Sequence, residues 1–252
     1  MTIKINSVAC IIPARYGSTR FEGKPLFDLC GKPMIQRVYE QAKKAKLIDS
    51  GVYIATDDIK IRDIAEGFGA EVRMSNQPHR TGTDRIAEAM KWTRGDIIVN
   101  VQGDEPLIDP RAIDALIHPF LEHPELVMGT LISKITNPTD IDDKNVVKVI
   151  KSIDNFALYF SRLPIPFSRD GDPVTYYKQA GVYIFRRKFL EVFPKLPVTA
   201  YEECEKLEQL RALEHGYPIK LVETEYESTS VDTIEDAYTV IKLLQASTVQ
   251  RR

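Results

Sequence analysis

What the sequence lacks narrows its class first. Cysteine is scarce: Cys10, Cys30 and Cys204 are an odd, scattered set without C-x-x-C spacing. That argues against a disulfide framework and against a thiolate zinc site. The four histidines (His79, His118, His123, His215) form no H-E-x-x-H or similar pair. No apolar run approaches the roughly 20 residues that span a bilayer. Met1 to Asn6 shows no charged start leading into a signal-peptide core, so a cytoplasmic setting and no stable membrane insertion are expected. Charge of one sign is also missing, since 34 basic against 36 acidic residues leave a net charge of −2. Without a global basic field, no nucleic acid is expected as the main partner, although a local cluster could hold a small anion.

What is present suits a globular α/β protein. The 252 residues are 43% hydrophobic and 28% charged, enough for a large core in one domain. Val8–Ile12, Val52–Thr56 and Asp96–Val101 read as buried strands and Ala70–Met74 as a shorter one. Helical spacing between them over Met34–Lys46, Asp57–Phe68 and Asp84–Trp92 implies a mostly parallel sheet covered on both faces. Further strands are expected over Val127–Ile135, Val146–Ile150, Gly181–Phe185 and Ile219–Glu225, with a polar link over Asn137–Asn145. Leu163–Thr175 reads as an irregular loop, and Tyr201–His215 and Thr233–Gln245 as helices. The expected organisation is a single domain over 1–252 with an insertion at roughly 127–180.

Two stretches could carry chemistry. Strand Val8–Ile12 runs into Pro13-Ala14-Arg15-Tyr16-Gly17-Ser18-Thr19-Arg20-Phe21-Glu22-Gly23-Lys24-Pro25. Its backbone donors, two arginines and one lysine are the groups that wrap a polyphosphate at the carboxyl edge of a parallel sheet. The glycine spacing and Pro25 exclude a Walker A loop. Gly67-Phe68-Gly69 precedes a strand and reads as a helix stop, which disfavours dehydrogenase chemistry. The second stretch, Val99-Asn100-Val101-Gln102-Gly103-Asp104-Glu105-Pro106, ends a strand in an amide and two carboxylates. Carboxylates there would suit a hard cation that also binds phosphate oxygens.

Bland readings stand beside these. The first loop could be only a solvated basic one. Asp232, with Glu235 three residues on, resembles a helix cap, and spacing alone favours capping over metal binding. Thr83 reads as the cap of the helix after Arg80-Thr81-Gly82, or that loop faces a base. Glu208 and Gln209 read as a surface pair, with Arg211 spaced to meet Glu208.

The ordered stretches I-P-A-R-Y-G-S-T-R, G-K-P-L, A-T-D-D, G-T-D-R, V-N-V-Q-G-D-E-P, A-L-Y-F-S-R, G-V-Y, L-E-Q-L-R and V-D-T run from about Val8 to Asp236. Together they resemble the 3-deoxy-manno-octulosonate (Kdo) cytidylyltransferase family. The resemblance implies a Rossmann-like, three-layer nucleotidyltransferase α/β fold with a mostly parallel, mixed sheet and an inserted dimerisation element. It implies CTP and an acidic eight-carbon sugar as substrates, Mg²⁺ as cofactor, a homodimer, and a product used for lipopolysaccharide or capsule. Arg15, Ser18, Arg20 and Lys24 would then hold the triphosphate, and the Thr81 loop would contact cytosine. Asp104 and Asp232 match the family's metal-binding aspartates, which reverses the capping preference, and with Lys24 would be the catalytic set. Gln102, which also borders the nucleotide, would line the sugar pocket with Arg162, Gln179, Tyr183, Glu208 and Gln209.

The chain departs from the family at Gln179, where a histidine is usual, and Ala180 replaces a larger apolar residue. Thr81 replaces a common serine and keeps the hydroxyl. Glutamine exchanges neutral hydrogen bonds but cannot become cationic, which leaves the acceptor open between Kdo and a modified one, such as 8-amino-Kdo or another ulosonic acid. Two other readings remain: a nucleotidyltransferase for a different sugar or NTP, and a non-catalytic nucleotide-binding module.

Overall fold

A computed structural model describes residues 7–17, 21–75, 79, 81–226 and 229–249. The chain runs through β1 (Val8–Pro13), α1 (Met34–Ala42), β2 (Val52–Thr56), α2 (Ile59–Gly67), β3 (Glu71–Met74), α3 (Gly82–Ala89), β4 (Ile97–Val101) and α4 (Pro110–Glu122). It continues through β5 (Met128–Lys134), α5 (Thr139–Asp142), β6 (Lys148–Lys151), β7 (Ala157–Ser161) and β8 (Tyr177–Arg186). The last elements are α6 (Arg187–Val192), α7 (Ala200–Glu205), α8 (Gln209–Glu214), β9 (Ile219–Glu223) and α9 (Ile234–Val249).

Among the described residues the sheet order is β3-β2-β1-β4-β8-β5-β9, with β6 and β7 paired beside β8. The first four strands are parallel, and three of them, β1, β2 and β4, are buried on both faces as expected, with β3 at the more exposed edge. Strand β8 runs antiparallel to both β4 and β5, and β9 returns parallel to β5, so the sheet is mixed. Strand alternation divides the core into two layers. Val8, Cys10 and Ile12 of β1 pack with Ile35, Val38 and Ala42 of α1 and with Ile113, Leu116 and Phe120 of α4. Ala9 and Ile11 face the other side, with Ile86 of α3, Leu190 of α6 and Leu210 of α8.

Helix starts follow the side chains that can satisfy free N–H groups. Asp58 accepts from the Lys60 and Ile61 amides, and Asp109 accepts from Arg111 with Pro110 at the first helical position. The expected Thr83 cap is corrected, because Thr81 caps α3 and accepts from the Asp84 N–H at 3.2 Å. The expected single helix Tyr201–His215 is likewise two, α7 and α8. Lys206 breaks it at φ 54°, in the left-handed region that ends a helical run. The polar link over Asn137–Asn145 holds the one-turn α5. Among the described residues no helix is long and apolar enough to cross a membrane.

This order matters for function because β2 lies on one side of β1 and β4 on the other. The crevice beyond their carboxyl ends is the switch point at which open α/β sheets bind ligands.

Candidate active site

Both candidate stretches open into that crevice. Gly103 allows the ends of β1 and β4 to meet, since a Cβ there would lie 2.7 Å from the Pro13 carbonyl oxygen. The loop after β1 returns over the sheet edge as a short 3-10 turn, Lys24–Leu26. Lys24 Nζ donates to Asp104 Oδ2 at 2.6 Å and to the Val231 carbonyl at 2.9 Å. Asp232 Oδ1 stands 3.7 Å from the same nitrogen.

Asp232 reaches Asp104 through a small apolar cluster. Val231, Ala237 and Val240 at the carboxyl-terminal end pack against Leu29 and Met34 of the amino-terminal third. The Val231 N–H donates to the Asp104 carbonyl at 2.9 Å, locking the two segments together. The capping reading of Asp232 is corrected. Asp236 Oδ2 accepts from the Asp232 and Thr233 amides, and Thr233 Oγ1 accepts from the Asp236 N–H. This reciprocal Thr233–Asp236 cap leaves the Asp232 carboxylate directed at Lys24.

Two cavities meet at this pair. One, of about 350 Å³, is bordered by Arg15, Lys24, Thr81, Arg85 and Gln102. The other, of about 530 Å³, is bordered by Gln102, Arg162, Gln179, Tyr183, Glu208 and Gln209. Thr81, Gly82, Gln102, Asp104 and Asp232 belong to both. The sequence-expected residues are thus brought to one continuous cleft, except Ser18 and Arg20, which lie outside the described residues. Arg15 is exposed at the rim.

Sequence reasoning passed over His79 and Arg85, which border the smaller cavity. His79 Nε2 sits 2.6 Å from Glu88 Oε2. Arg85, 4% exposed, makes two 2.8 Å contacts with the Asp57 carboxylate and ties the end of β2 to α3. Hydrogen bonding from this guanidinium holds the Asp57 carboxyl below its usual range. The signal was present in the G-T-D-R stretch, where Arg85 lies one turn after the Thr81 cap.

The larger cavity depends on an irregular strand pairing. Thr130 faces Tyr183 and Ile132 faces Gln179, so Leu131 alone opposes three residues of β8. Bulges of this kind turn side chains toward a site. Inside the bulge, the Gly181 N–H donates to Glu105 Oε1 at 3.3 Å, and a Cβ on Gly181 would lie 2.6 Å from that oxygen. Arg162 donates to the Glu205 carbonyl at 2.7 Å and the Lys144 carbonyl at 2.8 Å, joining two walls of the cavity.

Glu208 and Gln209 are not a surface pair. Gln209 is 2% exposed, and Glu208 Oε2 accepts from Thr83 Oγ1 at 2.6 Å. Glu208 Oε1 is buried without a hydrogen-bond partner. Burial pushes this carboxyl above its ordinary range, against the opposing pull of the Thr81 and Thr83 hydroxyls. Arg211 pairs with Glu202 rather than standing free for Glu208, donating from Nε to Oε2 at 2.7 Å. Burial likewise raises the Tyr183 phenol.

The cleft can hold two polar molecules side by side, with paired carboxylates and an ammonium where they touch. That is the arrangement of a group-transfer site on an α/β nucleotidyltransferase fold. A solved structure of CMP:2-keto-3-deoxy-manno-octonic acid synthetase complexed with CTP superimposes with a TM-score of 0.91. It is 38% identical and covers 96% of this chain and 99% of its own. The cytidylyltransferase family profile matches residues 9–224, and the chain belongs to that family. A 3-deoxy-manno-octulosonate cytidylyltransferase of Solibacter usitatus is 51% identical over 95% of each chain. An 8-amino-3,8-dideoxy-manno-octulosonate cytidylyltransferase of Shewanella piezotolerans is 49% identical over 91% of this chain and 95% of its own.

Proposed function

We propose that the protein transfers CMP from CTP to an acidic eight-carbon ulosonic acid, Kdo or 8-amino-Kdo, and releases pyrophosphate. The observation that carries this reading is the convergence of Asp104, Asp232 and Lys24 where the two cavities join. Relatives named for each of the two sugars support the acceptor class at 51% and 49% identity. The proposed setting is the cytoplasm, and the product would serve lipopolysaccharide or capsule assembly.

In this mechanism Arg15 and Lys24 hold the triphosphate along the smaller cavity, with Ser18 and Arg20 of the same loop. The Thr81 hydroxyl is occupied by the α3 cap, so backbone groups of the Thr81–Gly82 turn remain for the cytosine. Gln102, Arg162, Tyr183, Glu208 and Gln209 hold the sugar in the larger cavity, with its anomeric hydroxyl toward Asp104 and Asp232. That oxygen attacks the α-phosphorus in line: its bond to phosphorus forms, its proton passes to solvent water, and the bond to the pyrophosphate oxygen breaks. Positioning and charge neutralisation supply the acceleration, without a covalent protein intermediate.

The donor set fits Mg²⁺. Two hard carboxylates already gather on one cation, the Lys24 ammonium, at 2.6 and 3.7 Å. Among the described residues no group of three or more His, Cys, Asp or Glu could hold a metal. Asp104 and Asp232 would therefore share the ion with phosphate oxygens and water, as Mg²⁺ prefers. When bound, the ion supplies neutralisation of phosphate charge and a lowered pKa for the attacking hydroxyl.

The chain is proposed to work as one domain and as a homodimer. Exposed Leu158 on β7, and Leu163 and Phe167 just after it, support an apolar contact surface in the 127–180 insertion. The substrate reading is tested by pyrophosphate release from CTP with Kdo, 8-amino-Kdo and a neutral hexose. Release with an ulosonic acid and none with the hexose is expected, and release with the hexose alone would overturn it.

A further inference from the structure

Behind the larger cavity runs a hydrogen-bond chain whose direction is fixed by its first member. Thr130, wholly buried on β5, donates from Oγ1 to the Val182 carbonyl at 2.8 Å. A carbonyl only accepts, so this hydroxyl proton has one destination. The same Oγ1 accepts from Gln179 Nε2 at 3.2 Å, which settles the orientation of that amide. Gln179 Oε1 in turn accepts from Gln209 Nε2 at 2.6 Å. The Tyr183 phenol lies beside the same amide. Gln179 is therefore held by the protein at both ends of its amide. Gln209 keeps its Oε1 and one N–H for a ligand in the cavity it borders.

We propose that Thr130 is a positioning residue for the acceptor sugar: through Gln179 it holds the Gln209 amide with nitrogen inward, so that Oε1 receives a hydrogen bond from a sugar hydroxyl or ammonium. This inference rests on the assignment of the larger cavity to the acceptor. It gives Gln179 a part that needs no direct contact with the sugar. Without the Thr130 hydroxyl, Gln179 Nε2 loses the one acceptor whose own proton is committed elsewhere, and a phenol, which both donates and accepts, does not fix the amide in its place. A turned Gln209 would offer N–H groups where the sugar also has donors, and an unpaired polar group in a closed site is costly.

Thr130→Val keeps the side-chain volume and removes the hydroxyl. It is expected to raise the acceptor KM about ten-fold, the loss of roughly one neutral hydrogen bond. The CTP KM and kcat should stay within about two-fold, as for lost ground-state binding of one substrate. Thr130→Ser should restore the acceptor KM. Gln179→Leu should raise it at least as much, and the double variant should be no worse than Gln179→Leu alone, because Thr130 acts only through that amide. An unchanged acceptor KM in Thr130→Val, or additive losses in the double variant, overturns the proposal. The side-chain amide NMR signals of Gln179 and Gln209 provide a readout free of catalysis. They should shift in folded Thr130→Val, and unshifted signals refute the relay. Wild-type protein that releases no pyrophosphate from CTP with either sugar refutes the functional reading instead.

Discussion

Replacing Asp104 with Asn removes one negative charge and almost no volume, so it separates charge from shape. Asp104 accepts from Lys24 at 2.6 Å with its side chain 28% exposed. Lys24 would keep the Val231 carbonyl and the nearby Asp232 carboxylate. At a partly exposed site with those partners left, the stability loss should be about 1 kcal/mol. For a chain of this length that lowers Tm by about 2–4 °C. Turnover should respond far more, because a preorganised charge at the reacting centre is worth roughly 10²–10³ in kcat. Thermal melts and pyrophosphate release from CTP and Kdo should therefore diverge: a fold nearly intact, with most turnover gone. Turnover within about ten-fold of wild type at limiting Mg²⁺ would refute the role given to this carboxylate.

The frame of the site is as sensitive as its charges. Gly103→Ala places a Cβ 2.7 Å from the Pro13 carbonyl; a melt should show about 1–3 kcal/mol lost to overpacking. Its kcat should fall about 10²-fold as Asp104 is displaced, and unchanged kinetics would contradict the close approach. Glu202→Ala strands Arg211, which is 1% exposed, and should cost about 3–5 kcal/mol in denaturant unfolding. Glu208→Gln should melt higher than wild type at pH 7. The raised carboxyl binds its proton more tightly folded than unfolded, so its stabilisation is full below about pH 4, lost as pH rises through the folded value, and the ionised form opposes folding above it. The gap should close as pH falls toward 4, and the variant should lose acceptor kcat/KM; a lower Tm at neutral pH contradicts the burial argument.

Much of the parallel half of the fold can be read along the chain because its signals are local. β2 spans the five residues Val52–Thr56 that the apolar run marks, and α2 starts at the Asp58 cap. Elements that depend on distant partners are less visible. Helix α4 carries Pro119 inside it, which a periodicity reading treats as a break, although Asp109-Pro110 is a sound start signal. Strand β7 has Leu158 exposed and Phe160 buried in the core, and it becomes a strand by pairing with β6. The break at Lys206 needs a left-handed lysine, a conformation no spacing rule predicts. The site shows the same division. The basic and carboxylate stretches announce themselves by residue type, whereas Asp232 reads as a cap until the Thr233–Asp236 pair takes that task. Gln179 shows only its difference from the family in sequence, and its partners Thr130 and Gln209 emerge only once β5, β8 and α8 are assembled.

The most direct test of the account is pyrophosphate release from CTP, UTP, ATP and GTP, each with and without Kdo or 8-amino-Kdo. CTP alone should release pyrophosphate, and only when an ulosonic acid is present. Release from another nucleotide at the rate seen with CTP, or none from CTP with either sugar, would contradict it.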